Sequence, residues 1–264
     1  MRADLYLVGG GHFSSRSMAQ AAIARGNVYL DGRQIRRPAE QVDEGEHQVE
    51  VRNPMPYVSR GGLKLAGALE AFGVSPAGLR ALDIGASTGG FTDCLLQQGA
   101  VHVTALDAGE GQLHPTLRAD PRVLCLEHCN ARDLSAAPLC PPYDMAVMDV
   151  SFISQTYILP GLVPLLTGEG RLITLIKPQF EAGREAIGHG GIVRREADRM
   201  AAILRVLTCA AECGFAVDGL IRSPIDGGDG NREYLACLRR TTDSVCPPKP
   251  ADIRRWLDAG QTRQ

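Results

Sequence analysis

Ala81-Leu82-Asp83-Ile84-Gly85-Ala86-Ser87-Thr88-Gly89-Gly90-Phe91-Thr92-Asp93 opens on apolar residues around one acid, turns into a run of small residues, and gives way to Cys94-Leu95-Leu96, where an apolar pattern resumes. Such a stretch reads as the end of a buried strand, a glycine loop and the start of a helix. Small residues let the backbone come within contact distance of a ligand at a strand-to-helix turn. The dinucleotide fingerprint G-x-G-x-x-G is absent, because Ala86-Ser87-Thr88 separates Gly85 from Gly89-Gly90, and this points away from NAD. Asp83, just before the loop, would repel a pyrophosphate but suits a cation, such as the amino-acid part of S-adenosylmethionine. Asp107 ends the next apolar run, Val101–Leu106, where a strand's terminal carboxylate grips ribose hydroxyls.

Working outward, apolar strands alternate with helical patterns in the manner of a parallel α/β sheet. The strand candidates are Ala81–Asp83, Val101–Asp107, Arg122–Leu126, Met145–Val150, Arg171–Ile176, Phe215–Arg222 and Glu233–Leu238, the last two expected to close the sheet as an antiparallel edge. Ligands of open α/β sheets bind beyond the C-terminal ends of the strands. Asp149 ends the fourth strand and Lys177 follows the fifth, so both belong to that edge. After the third strand, Asn130-Ala131-Arg132-Asp133 is placed to meet an adenine. Glu233 follows the turn Asp226-Gly227-Gly228-Asp229-Gly230-Asn231. The candidate cofactor-binding set is thus Asp83, Gly85, Ala86, Ser87, Gly89, Gly90, Phe91, Asp107, Asn130, Ala131, Arg132 and Asp149.

Composition narrows the class. The chain has 264 residues, 44% of them hydrophobic and 22% charged, which suits a soluble globular protein of more than one domain. No apolar run reaches the length of a membrane span, and the N-terminus lacks the pattern of a secretory signal, so a cytoplasmic protein is expected. The eight cysteines form no C-x-x-C pair; they read as reduced core thiols, with no metal expected. Only Lys64, Lys177 and Lys249 are lysines among 28 basic residues. Lysine can be tuned to lose a proton and guanidinium in practice cannot, which marks Lys64 and Lys177 as candidates for chemistry.

Residues 1–53 read as a small α+β domain: a helix near Leu5–Val8, a second from Ser14 to Ile23 capped by serine, a strand at Val28–Leu30 entering the turn Asp31-Gly32, and an alternating segment from Val42 to Val51. Arg16, Arg25, Arg33, Arg36 and Arg37 make a local basic excess hidden by a net charge of −2, and a basic stripe of this kind tracks phosphates. Residues 54–61 form a proline-containing linker. Ser59 then caps a helix whose apolar stripe is Leu65, Leu69 and Phe72, with Lys64 beside it. Residues 62–240 hold the α/β domain. Residues 241–264 are a tail in which Ile253, Trp256 and Leu257 form one short amphipathic turn docked on the body.

Two resemblances follow from these phrases. Ser15-Arg16, Ala19, Ile23, Gly26-Asn27-Val28, Asp31-Gly32 and Pro38 resemble the RNA-binding module shared by a ribosomal small-subunit protein, pseudouridine synthases and tyrosyl-tRNA ligases, in which the arginine-bearing helix faces RNA. Lys64, Asp149, Lys177 and Glu233 resemble the tetrad of FtsJ-like ribose 2′-O-methyltransferases. With Ser59-Arg60-Gly61-Gly62-Leu63-Lys64-Leu65, Asp149-Val150-Ser151-Phe152-Ile153-Ser154, Lys177-Pro178-Gln179-Phe180-Glu181 and Gly230-Asn231-Arg232-Glu233-Tyr234, the chain resembles the hemolysin-A-like (TlyA) rRNA methyltransferases from residue 1 to about 240.

That resemblance implies a Rossmann-like seven-stranded fold, S-adenosyl-L-methionine as cofactor, ribosomal RNA or a ribosomal subunit as partner, neither DNA nor membrane, and methylation of a cytidine 2′-hydroxyl. Lys177 would act either as general base or as an electrostatic clamp on the alkoxide. Met55-Pro56-Tyr57-Val58 departs from the Arg-x-Trp-Val linker of some members, which favours large-subunit RNA. Two rival functions are a membrane-active hemolysin, against which the lack of a span argues, and a non-catalytic RNA-binding factor, against which the complete tetrad argues. Amino methylation of DNA or protein commonly uses an Asn/Asp-Pro-Pro-Tyr/Phe phrase where this chain has Asp149-Val150-Ser151-Phe152.

Overall fold

The computed structural model describes residues 1–13, 16–24, 26–43, 45, 47–52, 55–227 and 230–261. Arg25 and the expected capping serines, Ser14 and Ser15, lie outside the described residues. The chain divides into two units, Met1–Ser59 and Arg60–Gln264.

The first unit holds α1 (Ala3–Gly9), α2 (Arg16–Ala24), β1 (Val28–Leu30), β2 (Arg33–Gln34) and β3 (Val49–Val51), with the strands in the order β2-β1-β3. Asp31 and Gly32 both take positive φ, 49° and 79°. This is the demand of a two-residue hairpin whose twist matches its strands, and Asp-Gly meets it. Leu7, Ile23, Val28, Ile35 and Val42 close a small core. The expected strand from Val42 to Val51 is shorter than its alternation suggests. Val42 N–H bonds to Met1 O instead, and pairing with β1 starts at Val49.

In the second unit, α3 (Gly61–Phe72) precedes β4 (Arg80–Ile84), α4 (Gly90–Gln97), β5 (His102–Leu106), α5 (Pro115–Arg118), β6 (Val123–Leu126) and β7 (Tyr143–Met148). There follow α6 (Leu159–Leu162), β8 (Leu166–Ile176), α7 (Pro178–Glu181), α8 (Glu196–Glu212), β9 (Phe215–Arg222), β10 (Tyr234–Arg240) and α9 (Pro250–Gln261). The seven strands are ordered β6-β5-β4-β7-β8-β10-β9. β4, β5 and β7 are buried along nearly their whole length, as expected of parallel strands covered on both faces. Chain order reverses between β4 and β7, so a crevice opens at their C-terminal ends.

As expected, the last two strands close the sheet as an antiparallel edge: β10 pairs antiparallel with β8 on one side and β9 on the other, which leaves β9 outermost. Three other expectations are corrected. Arg60, not Ser59, occupies the N-cap of α3, without a side-chain cap. The C-terminal turn is a full helix of 12 residues, docked as expected, with Ile253 buried and Trp256 and Leu257 against the main core. Of the eight cysteines only Cys94 and Cys237 are buried.

Candidate active site

The loop after β4 is built from short-range constraints. Gly85 has φ +82°, and a Cβ there would stand 2.6 Å from the Asp149 carbonyl oxygen. The bare Cα is therefore what lets the β4 and β7 loops touch at the switch point. Gly89, at φ +93°, leaves no room for a side chain beside Leu117 and Leu113. The N–H groups of Gly85 and Ala86 donate to Leu106 O at 2.8 and 3.1 Å, and that of Gly89 to Ala86 O at 2.7 Å. Ser87 N–H donates to Asp107 Oδ2 at 2.8 Å, while Asp107 Oδ1 accepts from Gly109 N–H at 2.7 Å. These donors stitch the loop to the end of β5. The amides of Gly85, Ala86, Ser87 and Gly89 are thus engaged within the fold, and the missing side chains of Gly85 and Gly89 make room for the β7 loop and for Leu113 and Leu117.

Asp83 is fully buried beneath this loop. Its Oδ2 accepts from Thr92 Oγ1 at 2.6 Å, and its Oδ1 has no hydrogen-bond partner among the described residues. Burial pushes the carboxyl up to about 7, against the Thr92 hydrogen bond and with help from the negative charges of Asp149 and Asp107. A buried carboxylate with one unsatisfied oxygen is a receptor for a cation or a donor. Gly90 and Phe91 begin α4, and the Phe91 ring is buried rather than presented at the surface. Asn130 caps a short turn over Ala131–Asp133 by accepting from Arg132 N–H at 3.0 Å. Ala131 packs against the main core. Arg132 is exposed, with its guanidinium 4.5 Å from the centre of the Tyr157 ring.

The four tetrad candidates form two ion pairs. Lys64 Nζ lies 2.5 Å from Glu233 Oε2, with both side chains buried. Lys177 Nζ lies 2.6 Å from Asp149 Oδ1 and donates to Ser151 Oγ at 2.9 Å. Topology joins the pairs. The β8–β10 ladder ends at Tyr234 opposite Ile176, and extending it by one residue sets Glu233 opposite Lys177 on the same face. On the other side of β8, β7 ends at Met148, which pairs with Thr174, so Asp149 begins the adjacent loop. Cation and anion therefore alternate along the C-terminal edge, from Lys64 on α3 through Glu233 and Lys177 to Asp149.

Several neighbours were not singled out by sequence reasoning. Phe152 is 92% exposed and has φ +63°, while its ring centre lies 5.0 Å from that of Phe180. A bulky residue in the left-handed region is a strained one, and strain of this sort collects at functional sites. No local pattern announces it, because the φ of a loop residue is set by what holds the loop's two ends. Asn231 is buried; its side chain accepts from Val193 N–H at 3.1 Å and donates to Gly191 O at 3.1 Å. It ties the glycine-rich segment 188–193 to the entry of β10. Its spacing of two from Glu233 was the available signal.

In the first unit the basic residues are less free than composition implies. Arg16 donates to Asp4 Oδ2 at 3.0 Å, and the buried Asp4 is also held by Arg2; that Arg2 pair keeps Asp4 well below the usual carboxylate range. Arg33 pairs with Glu40. Arg36 and Arg37 are exposed and in no ion pair among the described residues.

An FtsJ-like methyltransferase model matches residues 57–240, and an S4 domain model matches residues 1–47. The chain is 43% identical over 262 residues to the 16S/23S rRNA (cytidine-2′-O)-methyltransferase TlyA of Mycobacterium tuberculosis, covering 98% of each. It is 35% identical over 180 residues to the 23S rRNA (cytidine-2′-O)-methyltransferase TlyA of Campylobacter jejuni, covering 68% of this chain and 69% of that one. A solved structure from Streptococcus thermophilus that carries a hemolysin name is 40% identical, with a TM-score of 0.75 over 99% of this chain and 96% of that one. Among the described residues no helix is long and apolar enough to cross a membrane.

Proposed function

The chain belongs to the FtsJ-like methyltransferase family and to its TlyA group, and on that premise we propose that it methylates the 2′-hydroxyl of a cytidine ribose in ribosomal RNA. The observation that carries the proposal is the pair of lysine–carboxylate contacts at the sheet edge, beside a glycine loop with a buried, half-satisfied aspartate. Large-subunit RNA is common to the names of both relatives and is our assignment. Small-subunit RNA as an additional substrate is the second reading, favoured by the full-length match to a relative named for both.

S-Adenosylmethionine supplies, when bound, a methyl carbon made electrophilic by its sulfonium. Asp83 fits its cationic end, Gly85 lets the β7 loop close beside that end, and Asp107 and the Asn130–Arg132 turn stand at the next two strand ends. Lys177 has three N–H donors. Ser151 takes one, Asp149 Oδ1 stands 2.6 Å from the ammonium as its counter-charge, and the remaining donors are left for the ribose oxygen. Paired in this way the ammonium serves as a clamp: as the oxygen gains the methyl carbon and its proton leaves to water at the rim, the developing negative charge meets a fixed cation. Lys64 and Glu233 keep a second, neutralised pair behind it. Exposed Arg36 and Arg37 would follow RNA phosphates from the S4 domain.

The test is transfer of labelled methyl groups from S-adenosylmethionine to separated large and small subunits that lack the modification. Label on the large subunit supports the assignment, label on both supports the second reading, and label on neither rejects the proposal.

Asp83 leads to a pH prediction. Its carboxyl is raised in the fold, so protonation favours the folded state. The stability it contributes is full below the ordinary carboxylate range and is lost as pH rises through about 7. Cofactor binding needs the ionised form and should weaken by up to about tenfold per unit below that pH. In calorimetry, Asp83→Asn should bind weakly at every pH and yet melt higher than the wild type at pH 8. Equal affinity of the wild type at pH 6 and pH 8 would refute the assignment.

Phe152 gives the opposite pairing of effects. Its exposed ring leans on Phe180, whose own ring centre lies 5.9 Å from Lys177 Nζ, and is suited to stack on an unpaired base, a contact worth about 1–3 kcal/mol. Phe152→Gly removes the ring and relieves the positive φ. We expect it to stabilise the fold by about 1 kcal/mol and to raise the RNA concentration needed for half-maximal transfer by roughly tenfold. Unchanged RNA dependence would show that the ring does not meet the substrate.

A further inference from the structure

Glu181 is the least expected carboxylate in the molecule. It is 2% exposed and in no ion pair among the described residues. Burial pushes its carboxyl up against the hydrogen bonds it accepts. Its Oε2 accepts from Ser154 Oγ at 2.6 Å, and its Oε1 accepts from Gln155 N–H at 2.9 Å. Gln155 is itself buried and anchored to β8, donating to Leu175 O and accepting from Thr174 Oγ1, each at 2.7 Å. Arg205 of α8 donates to Glu181 O at 2.9 Å.

These contacts close an arch. The loop after β7 leaves the sheet at Asp149, which pairs with Lys177, and returns at Ser154 and Gln155, which Glu181 holds. Both feet rest on 174–181, the segment that ends β8 and forms α7. Between them Val150 and Ile153 pack on the core, while Ser151 is bonded to Lys177 and Phe152 is projected outward at positive φ, leaning on Phe180. A loop pinned at both ends has few conformations left, which is how a strained residue is retained. An anion has been buried to make the second foot, at a cost that packing alone does not require.

We propose that Glu181 is a positioning residue for methyl transfer: by fastening Ser154 and Gln155 to α7 it holds Ser151 and Phe152 against Lys177 and Phe180. The inference rests on the reading of Lys177 as the group that meets the ribose oxygen. It explains why a buried acid stands four residues after Lys177, where an apolar residue would pack more cheaply.

Glutamine can replace this clasp and alanine cannot. In Glu181→Gln the amide oxygen accepts from Gln155 N–H, and the amide nitrogen donates to the Ser154 hydroxyl, which can turn to accept. Glu181→Ala breaks both contacts, and Ser154→Ala breaks one. The chain's three lysines make the effect visible without turnover. In protein labelled with 13C at lysine Cε there are three side-chain signals, assigned through Lys→Arg variants. We expect the Lys177 signal to move in Ser154→Ala and Glu181→Ala and to stay in place in Glu181→Gln, with Lys249 unmoved throughout.

Turnover on ribosomal subunits should follow the same order. We expect kcat near wild type in Glu181→Gln, about tenfold lower in Ser154→Ala and up to about 100-fold lower in Glu181→Ala, with KM for the subunit raised by no more than the roughly tenfold expected of Phe152→Gly. Should Glu181→Ala fail to fold, Ser154→Ala against Glu181→Gln decides. A stationary Lys177 signal and unchanged kcat in Ser154→Ala overturn the proposal, as does a loss of activity that appears only with loss of cofactor binding. If the wild type itself transfers no methyl to either subunit, the functional reading fails, and the Lys177 signal still judges the clasp.

Discussion

Lys177→Met should reduce kcat by about 10²–10⁴ while leaving S-adenosylmethionine affinity within about twofold. Methionine keeps the length and apolar volume of the stem, so the change is confined to the charge. The ammonium is placed by contacts of 2.6 Å to Asp149 and 2.9 Å to Ser151, and nothing else among the described residues puts a cation at that point of the edge. Arginine should not rescue it. A planar guanidinium is wider and presents its donors in a fixed fork, so it cannot occupy the same spot between a carboxylate and a hydroxyl. Single-turnover transfer to the ribosomal substrate reads the effect directly. A Lys177→Met enzyme with more than about a tenth of wild-type kcat would mean that the developing charge is met elsewhere.

Glu233→Ala should act first on stability. Its side chain is 4% exposed and holds Lys64, whose side chain is 10% exposed. Removing one partner strands the other charge in a dry place, at about 3–5 kcal/mol. The expected fall in melting temperature is on the order of 10 °C for a domain of this size. Lys64→Met alone should be similarly damaging, since Glu233 is then unpaired. The double variant Lys64→Met/Glu233→Leu removes both charges and fills the space, and should recover most of the lost stability without recovering turnover. That separation is the signature of an ion pair kept for chemistry. If each single variant melts like the wild type, the pair is not the buried contact described, and its place in the edge network must be revised.

How much of this was legible beforehand can be traced residue by residue. The loop from Gly85 to Gly89 was legible because a close approach leaves a compositional mark: side chains vanish where backbone meets backbone. The parallel strands were legible because burial on both faces produces unbroken apolar runs. Lys177 stood out because a lysine at the end of Ile-Thr-Leu-Ile, in a chain with three lysines, has no packing reason to be there. The position of β10 was not legible, since insertion between β8 and β9 depends on which sheet edge is open when the chain returns. Nor was the strain at Phe152, which arises from two tethers set by Asp149 and Glu181 rather than from its own neighbours. Glu181 carries no mark of burial in the sequence, and only the fold turns it inward. The arginines of residues 1–53 were read as a free basic stripe, but Asp4 and Glu40 hold two of them, and a local count of charges does not see partners that arrive from elsewhere in the fold.

The proposed reaction puts the methyl group on a ribose oxygen of a cytidine. The most direct test is to label a large subunit lacking the modification with methyl-tritiated S-adenosylmethionine and wild-type enzyme, digest the RNA to nucleosides, and separate them. The label is expected to run as 2′-O-methylcytidine, and one phosphodiester of the RNA to become resistant to alkali, since a methylated 2′-oxygen cannot attack the neighbouring phosphate. Label on a methylated base, with every phosphodiester still cleaved by alkali, would contradict it.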